Sequence, residues 1–142
     1  MNAMEISRTG LEVEWRRLEV IAQNLANANS TLDATGQPYR AKRLISGPAM
    51  NFSDVLAGRA DTAGLHGVAV YSVEPQNLPA RRVYEPSHPQ ADAEGFVTYP
   101  GFDHAAEMTL MIKTSRAYEA NVVAMNTARQ MYTKGLEIGR RG

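Results

Sequence analysis

The sequence contains no cysteine, and this absence excludes three kinds of chemistry. A chain of 142 residues without a thiol has no disulfide framework, no thiolate metal site and no cysteine nucleophile. It also lacks an excess of either charge, because fifteen Lys and Arg residues balance fifteen Asp and Glu residues. A net charge of zero predicts no general attraction to nucleic acid or to an anionic membrane. We therefore expect no nucleic-acid partner.

Long apolar runs are absent as well. No stretch approaches the roughly 18 consecutive apolar residues of a membrane span, so we expect no transmembrane segment. The first residues, Met1 to Glu5, lack the basic and apolar regions of a cleavable secretory signal. If the protein leaves the cytoplasm, we expect it to keep its N-terminus.

Catalytic and metal-binding motifs are sparse. The histidines have no metal-ligand spacing, and Asp103, His104 and Glu107 fit a helix cap with a dipole complement better than a metal site. Asp92 and Glu94 fit a turn better than an acid–base pair. No serine lies in a nucleophile elbow, and no glycine-rich loop resembles a phosphate cradle. The sequence predicts no enzyme, no catalytic residue, no metal and no cofactor.

What the chain does have is an apolar seven-residue spacing at each end. In the first segment Met4, Leu11, Leu18 and Leu25 recur at this interval, and Ile21 fills the half-step. Such a spacing is typical of a helix that packs against another helix. A capping-box pattern predicts that this helix starts at about residue 3, and an Asn-rich run predicts that it ends near residues 27–29.

The second spacing covers the end of the chain. Met111, Tyr118, Met125 and Tyr132 recur every seven residues, with Val122 near the alternate position. The pattern predicts a helix from an N-cap at about residue 103 to about residue 139, which would be about 54 Å long. We expect its apolar side to meet that of the first helix or of a neighbouring molecule.

Between the helices the helical period disappears. All seven prolines lie between residues 31 and 102, and glycines punctuate short apolar runs. Alternation and β-branched residues predict strands at Val68–Val73, Arg82–Tyr84 and Phe96–Tyr99. Residues 51–57 fit a helical turn or a short strand equally well.

These elements predict an α+β fold with three parts. Residues 1–30 form an N-terminal helix, residues 103–142 form a C-terminal helix, and residues 31–102 form a turn-rich middle region with a small β unit. About 70 residues outside the helices are too few for a comfortable core. The chain is therefore expected to associate.

Polar side chains follow the first apolar spacing directly. Asn24, Asn27 and Ser30 have two interpretations: amides that fix register or bond a neighbouring backbone, and an ordinary loop after a helix. Spacing alone does not decide between them.

At these residues the sequence resembles a known family. Residues 24–31, Asn-Leu-Ala-Asn-Ala-Asn-Ser-Thr, resemble the Asn-x-Ala-Asn-x-x-Ser/Thr signature of bacterial flagellar axial proteins, which include rod, hook and hook-associated subunits. Residues 36–42, 84–97 and 115–122, with Asn126, are similar to the C-type proximal rod subunits of that group.

The resemblance implies that residues 1–30 and 103–142 pair as the N- and C-terminal helices of an antiparallel, coiled-coil-like unit. It implies a structural subunit of the proximal rod in the flagellar basal body, which helps transmit torque from motor to hook and filament. It implies other copies, neighbouring rod subunits, a membrane-embedded ring and the flagellar type III export apparatus as partners. It also implies a rod location within the periplasmic space, reached by export without a cleaved signal peptide. The alternatives are another axial subunit, of distal rod or hook type, and a helical export adaptor or chaperone.

The candidate interaction residues combine both spacings with the motif residues. They are Met4, Leu11, Leu18, Ile21, Leu25, Asn24, Asn27, Ser30, Met111, Tyr118, Asn121, Val122, Met125 and Tyr132.

Overall fold

The computed structural model describes residues 2–50, 56, 58 and 66–140. Its elements in chain order are α1 (Ala3–Ala26), β1 (Lys42–Pro48), β2 (Val68–Pro75), β3 (Arg81–Tyr84), β4 (Phe96–Tyr99) and α2 (His104–Arg140). The expected α+β class, with paired terminal helices and small antiparallel strand pairs in the middle, is confirmed. The undecided element at residues 51–57 lies outside the described residues, apart from Leu56.

The start of α1 is fixed by the expected capping box. The Asn2 side chain accepts a hydrogen bond from the backbone N–H of Glu5 at 2.9 Å, and the Glu5 carboxylate accepts one from the Asn2 N–H at 2.9 Å. Two otherwise unpaired donors of the first turn are thereby satisfied. The helix ends at a cap formed by Asn27.

The two helices run side by side in opposite directions. Near the end of α1, Asn24 contacts Glu107 in the first turn of α2, whereas Gly10 in the first half of α1 lies against Asn121. A Cβ placed on Gly10 would lie 2.6 Å from Oδ1 of Asn121, so glycine at this position allows the helices to approach closely. Trp15 packs near Tyr118, with 6.2 Å between ring centroids.

One end of α2 extends past α1. The helices contain 24 and 37 residues, and counting from the Gly10–Asn121 contact places Ala3 beside Ala128. Residues 129–140, here named the overhang, therefore extend about 18 Å beyond the first residue of α1. Every side chain of the overhang is exposed.

Two separate antiparallel hairpins form the described sheets, and an isolated antiparallel bridge joins Leu32 to Pro38. Strand β1 pairs with β2 from Lys42↔Pro75 to Pro48↔Val68, with a bulge between Ile45 and Ser46. Strand β3 pairs with β4 from Arg81↔Tyr99 to Tyr84↔Phe96. The three predicted strands are confirmed within two residues at their ends, and β1 is a strand that the sequence analysis did not predict.

The core lies between α1 and the β1–β2 hairpin. Val13 and Val20 are buried against Leu44 of β1, with Val73 of β2 packed alongside. Both valines also recur at a seven-residue interval, on a different side of α1 from Leu11 and Leu18, which are half-buried. Helix α1 thus has two packing sides, one for the hairpin and one for α2.

Candidate interaction site

The structure places the candidate interaction residues along α1, its exit loop and α2. Ile21 and Asn24 are buried, Tyr132 is exposed, and the other candidates are half-buried; these are Met4, Leu11, Leu18, Leu25, Asn27, Ser30, Met111, Tyr118, Asn121, Val122 and Met125. Of this set, Tyr118 and Asn121 contact α1 of the same chain. Contact of these residues with another subunit stays a prediction.

The Asn24 side chain reaches from α1 to both β1 and α2. Its Oδ1 accepts hydrogen bonds from the Lys42 backbone N–H at 2.9 Å and the Tyr39 hydroxyl at 3.0 Å. Its Nδ2 donates to the Lys42 carbonyl at 2.9 Å and to Glu107 Oε1 at 2.6 Å. A primary amide supplies two donors and an acceptor oxygen with two lone pairs. The Asn24 side chain therefore forms all four hydrogen bonds that it can form. The Asn24 amide therefore bonds both the N–H and the carbonyl of Lys42, as the backbone of a neighbouring strand would.

Glu107 is fully buried, and its charge is balanced by one cation. Arg43 donates from Nη1 to Oε1 and from Nη2 to Oε2, both at 2.7 Å, while Glu107 is 0% exposed. Bidentate geometry makes this a strong, directional ion pair. Removing one partner of a buried pair costs about 3–5 kcal/mol, because the other charge is left uncompensated. We name Asn24, Tyr39, Lys42, Arg43 and Glu107 the polar joint.

The polar joint gives Glu107 a role that the sequence analysis did not predict. Asp103 does cap α2, since its Oδ1 accepts from the Ala105 N–H at 2.9 Å. The interpretation of Glu107 as a complement to the helix dipole fits its position but does not include its side-chain partners. Glu107 does stand in the first turn of α2, but both of its oxygens are bound by side chains of α1 and β1.

Tyr39 completes the joint as a hydrogen-bond donor. Burial raises the pKa of its phenol above the ordinary value, and the nearby negative charge of Glu107 raises that pKa further. The hydroxyl therefore stays protonated at neutral pH and donates to Asn24.

Asn27 and Ser30 have a more local role than Asn24. The Asn27 amide donates to the Gln23 carbonyl at 2.8 Å, and the Ser30 hydroxyl donates to the Asn27 carbonyl at 2.8 Å. Both bonds stabilise the turn that follows α1. The two interpretations of the Asn-rich run therefore each apply to part of it: Asn24 bonds a neighbouring backbone, and the other two side chains hold a loop.

The turn that joins β3 to β4 depends on Asp92. Its Oδ1 accepts from the backbone N–H groups of Glu94 and Phe96 at 3.0 and 2.9 Å, and Oδ2 accepts from Arg82 at 2.6 Å. The bond from the Phe96 N–H contributes most to lowering the pKa of Asp92, with the Arg82 guanidinium adding to the effect. The turn expected from the sequence is confirmed. The Asp92 carboxylate bonds the backbone and Arg82, and the Glu94 carboxylate also lies near Arg82.

Two further findings hold for the part of the chain that the structure describes. No group of three His, Asp or Glu side chains there has an arrangement that would hold a metal ion. Neither described helix combines the length and the apolar character needed to cross a membrane.

Comparison with known proteins points to one group. Residues 93–138 match the family model described as flagellar basal body rod FlgEFG protein C-terminal. The chain is 39% identical over 140 residues to the flagellar basal-body rod protein FlgC of Salmonella typhimurium, covering 99% of this chain and 98% of the relative. It is 33% identical to the FlgC of Bacillus subtilis, over 98% of this chain and 97% of the relative. It is 32% identical to the FlgC of Borreliella burgdorferi, over 96% of this chain and 95% of the relative.

Proposed function

Because the chain belongs to the FlgC family of flagellar basal-body rod proteins, we propose that this structural rod subunit forms part of the proximal rod and helps transmit torque from motor to hook and filament. The observation that carries the proposal is 39% identity to a FlgC relative over nearly the full length of both chains. Full-length similarity to rod proteins favours this function over an export adaptor or chaperone. The FlgC name of these relatives favours it over a distal rod or hook subunit.

The packing of the chain suits a subunit that gains stability by assembly. Among the described residues, seven apolar residues are buried, whereas seventeen large apolar side chains are exposed. So few buried apolar residues make a small core, which contact with a partner would enlarge. We propose other copies, neighbouring rod subunits, the basal-body ring and the type III export apparatus as partners, and a location in the rod within the periplasmic space.

The polar joint suits a subunit that carries mechanical load. It connects α1, β1 and the first turn of α2 through hydrogen bonds of 2.6–2.9 Å and a bidentate ion pair. Directional bonds resist sliding of packed elements better than apolar contacts, which have no preferred direction. We infer that the joint holds the hairpin at a fixed orientation to the helix pair while torque passes through the subunit.

The first prediction tests whether the protein is a required part of the rod. Deleting its gene should leave cells without complete rods and without swimming, and expressing the intact chain from a plasmid should restore both. Mass spectrometry of isolated basal bodies should detect the chain in the restored strain. Complete rods and normal swimming in the deletion strain would contradict the proposal.

The second prediction concerns export. We propose that the N-terminal segment is an uncleaved export signal, so deleting residues 2–25 should keep the protein inside the cytoplasm while its synthesis continues. The matched control deletes residues 129–140, which removes helix from the other end and should leave export intact. Fractionation with immunoblotting measures both variants. Equal amounts of the two proteins outside the cytoplasm would show that the signal lies elsewhere.

A further inference from the structure

Three polar side chains of α1 bind the β1–β2 hairpin. They are Thr9, Arg17 and Asn24, here named the polar row. With 3.6 residues per turn, the three positions lie within about 80° of one another around the helix. They share this side of α1 with Val13 and Val20, which are buried against the hairpin. A line of directional bonds therefore accompanies the apolar contact.

Asn24 and Arg17 cover the edge of β1 that faces away from β2. In an antiparallel pair, successive residues direct their N–H and C=O groups alternately toward the partner strand and away from it. Both backbone groups of Lys42 bond the Asn24 amide, so Lys42 and, two residues later, Leu44 point away from β2. Arg17 donates from Nη1 to the Leu44 carbonyl at 3.3 Å and from Nη2 to the Ser46 hydroxyl at 2.8 Å. Side chains of α1 therefore occupy this edge from Lys42 to Ser46.

Thr9 binds the first backbone donor of β2. Its hydroxyl accepts a hydrogen bond from the Val68 N–H at 3.1 Å and donates one to the Ile6 carbonyl at 2.7 Å. The preceding Gly67 has a φ of +80°, and a Cβ at this position would clash with the Thr9 hydroxyl. Glycine thus lets α1 approach the start of β2 closely. The polar row therefore extends from the beginning of β2 to the beginning of β1.

A covered edge has a consequence for association. The free N–H and C=O groups of an edge strand are a template for pairing with another chain. Proteins block such edges with charged side chains or with a covering helix. Helix α1 combines the two, since it lies over the hairpin and directs the Arg17 cation and the Asn24 amide at β1. Without this cover, Leu44 would present its backbone groups to a second strand.

The sequence of β1 is compatible with pairing to a second copy of itself. In an antiparallel pair centred on Leu44, Lys42 lies opposite Ser46, and Arg43 lies opposite Ile45. Lys42 and Arg43 are the charged residues of this strand. Neither would lie directly opposite another cation, so like charges would not prevent the pairing.

We propose that the polar row is an edge cover, which keeps the hairpin of a free subunit from pairing with β1 of a second copy. Arg17 is the positioning residue of this cover. Asn24 is also needed for the polar joint, whereas Arg17 bonds only β1 and Glu14 among the described residues. The proposal concerns the free subunit and goes beyond the rod function proposed above.

Arg17→Met in the purified chain tests the cover. The substitution removes both bonds to β1, so self-association measured by sedimentation velocity should become about tenfold tighter. Arg16→Met is the matched control. It removes the same charge from the neighbouring position, where Arg16 pairs with Glu19 of its own helix at 2.8 Å. This control should associate no more than the intact chain does.

A second control separates the cover from the ion pair within α1. Glu14 lies 3.2 Å from Arg17. Glu14→Gln removes this charge but leaves the bonds from Arg17 to β1, so it should also associate no more than the intact chain.

Spin labels locate the contact. The chain has no native cysteine, so Arg17→Met can carry a single label at Ile45→Cys or, for comparison, at Lys134→Cys on the overhang. In a β1–β1 pair centred on Leu44, the two Ile45 positions are diagonal neighbours about 7–8 Å apart. Association should therefore broaden the electron paramagnetic resonance spectrum of the label at position 45 and leave that at position 134 unchanged.

The opposite results overturn the proposal. A folded Arg17→Met chain that associates no more than the intact chain would show that the edge needs no cover. Equal association of Arg16→Met would assign the effect to lost charge, and equal association of Glu14→Gln would assign it to the ion pair. Broadening at position 134 instead of 45 would place the contact on the helices. If circular dichroism shows that Arg17→Met does not fold, Ser46→Ala removes one anchor of Arg17 from β1 and should also tighten association.

Discussion

Replacing Asn24 by Asp should destabilise the fold by about 3–5 kcal/mol, the range found when a buried charge is left uncompensated. The substitution keeps the shape of the side chain but removes the Nδ2 donor that bonds the Lys42 carbonyl and Glu107. It also brings a second carboxylate to the fully buried Glu107. A loss of this size is a large part of the roughly 5–15 kcal/mol that holds most domains folded. Denaturant unfolding of the purified chain, followed by circular dichroism, measures the change.

Asn27→Asp is the matched control for this substitution. It makes the same chemical change three residues away, where the amide forms a single bond to the Gln23 carbonyl of its own turn. A negative charge at the C-terminal end of α1 should cost less than about 1 kcal/mol. Equal losses for the two variants would show that the bonds between elements do not distinguish Asn24 from an ordinary asparagine of the loop.

Replacing Leu18 by Asp should abolish rod assembly and swimming together. Leu18 is half-buried on α1, on the side of the helix proposed to contact α2 and neighbouring subunits. A carboxylate there must lose water without gaining a partner, which costs several kcal/mol, and the loss recurs in every subunit. Swimming assays and microscopy of basal bodies, at equal protein levels, provide the measurement.

The control for Leu18→Asp is Glu12→Gln. Glu12 is exposed and lies 3.7 Å from Arg8, a surface pair whose loss should change stability by no more than about 0.5 kcal/mol. Normal rods in the Leu18→Asp strain would mean that the seven-residue spacing does not mark an assembly surface.

Sequence patterns predicted the helices well because their signals are local. The capping box at Asn2 and Glu5 and the apolar repeat of α1 each involve residues within a few turns of one another. Strand β1 has no such signal, since Lys42–Pro48 has one fully buried side chain, Leu44, and ends in glycine and proline. Without β1, no predicted element could pack against Val13 and Val20, and the leucine repeat alone did not predict their burial.

The polar joint was only half predictable. The sequence singled out Asn24 through its motif, but its partners come from other elements, and no local pattern relates Arg43 to Glu107. A glutamate in the first turn of a helix has an ordinary explanation in the helix dipole. Only the three-dimensional arrangement distinguishes that explanation from burial against an arginine.

The joint also affects the order in which the chain folds. Asn24 and Glu107 are 83 residues apart, and closing a flexible loop of that length costs about 4 kcal/mol in chain entropy. During synthesis from the N-terminus, Asn24 and Arg43 leave the ribosome long before Glu107 does. Their amide and guanidinium groups therefore stay hydrated until Glu107 is available. The polar joint can therefore form only after most of the chain has been made. Until then, the nascent subunit is easy to keep in an extended conformation.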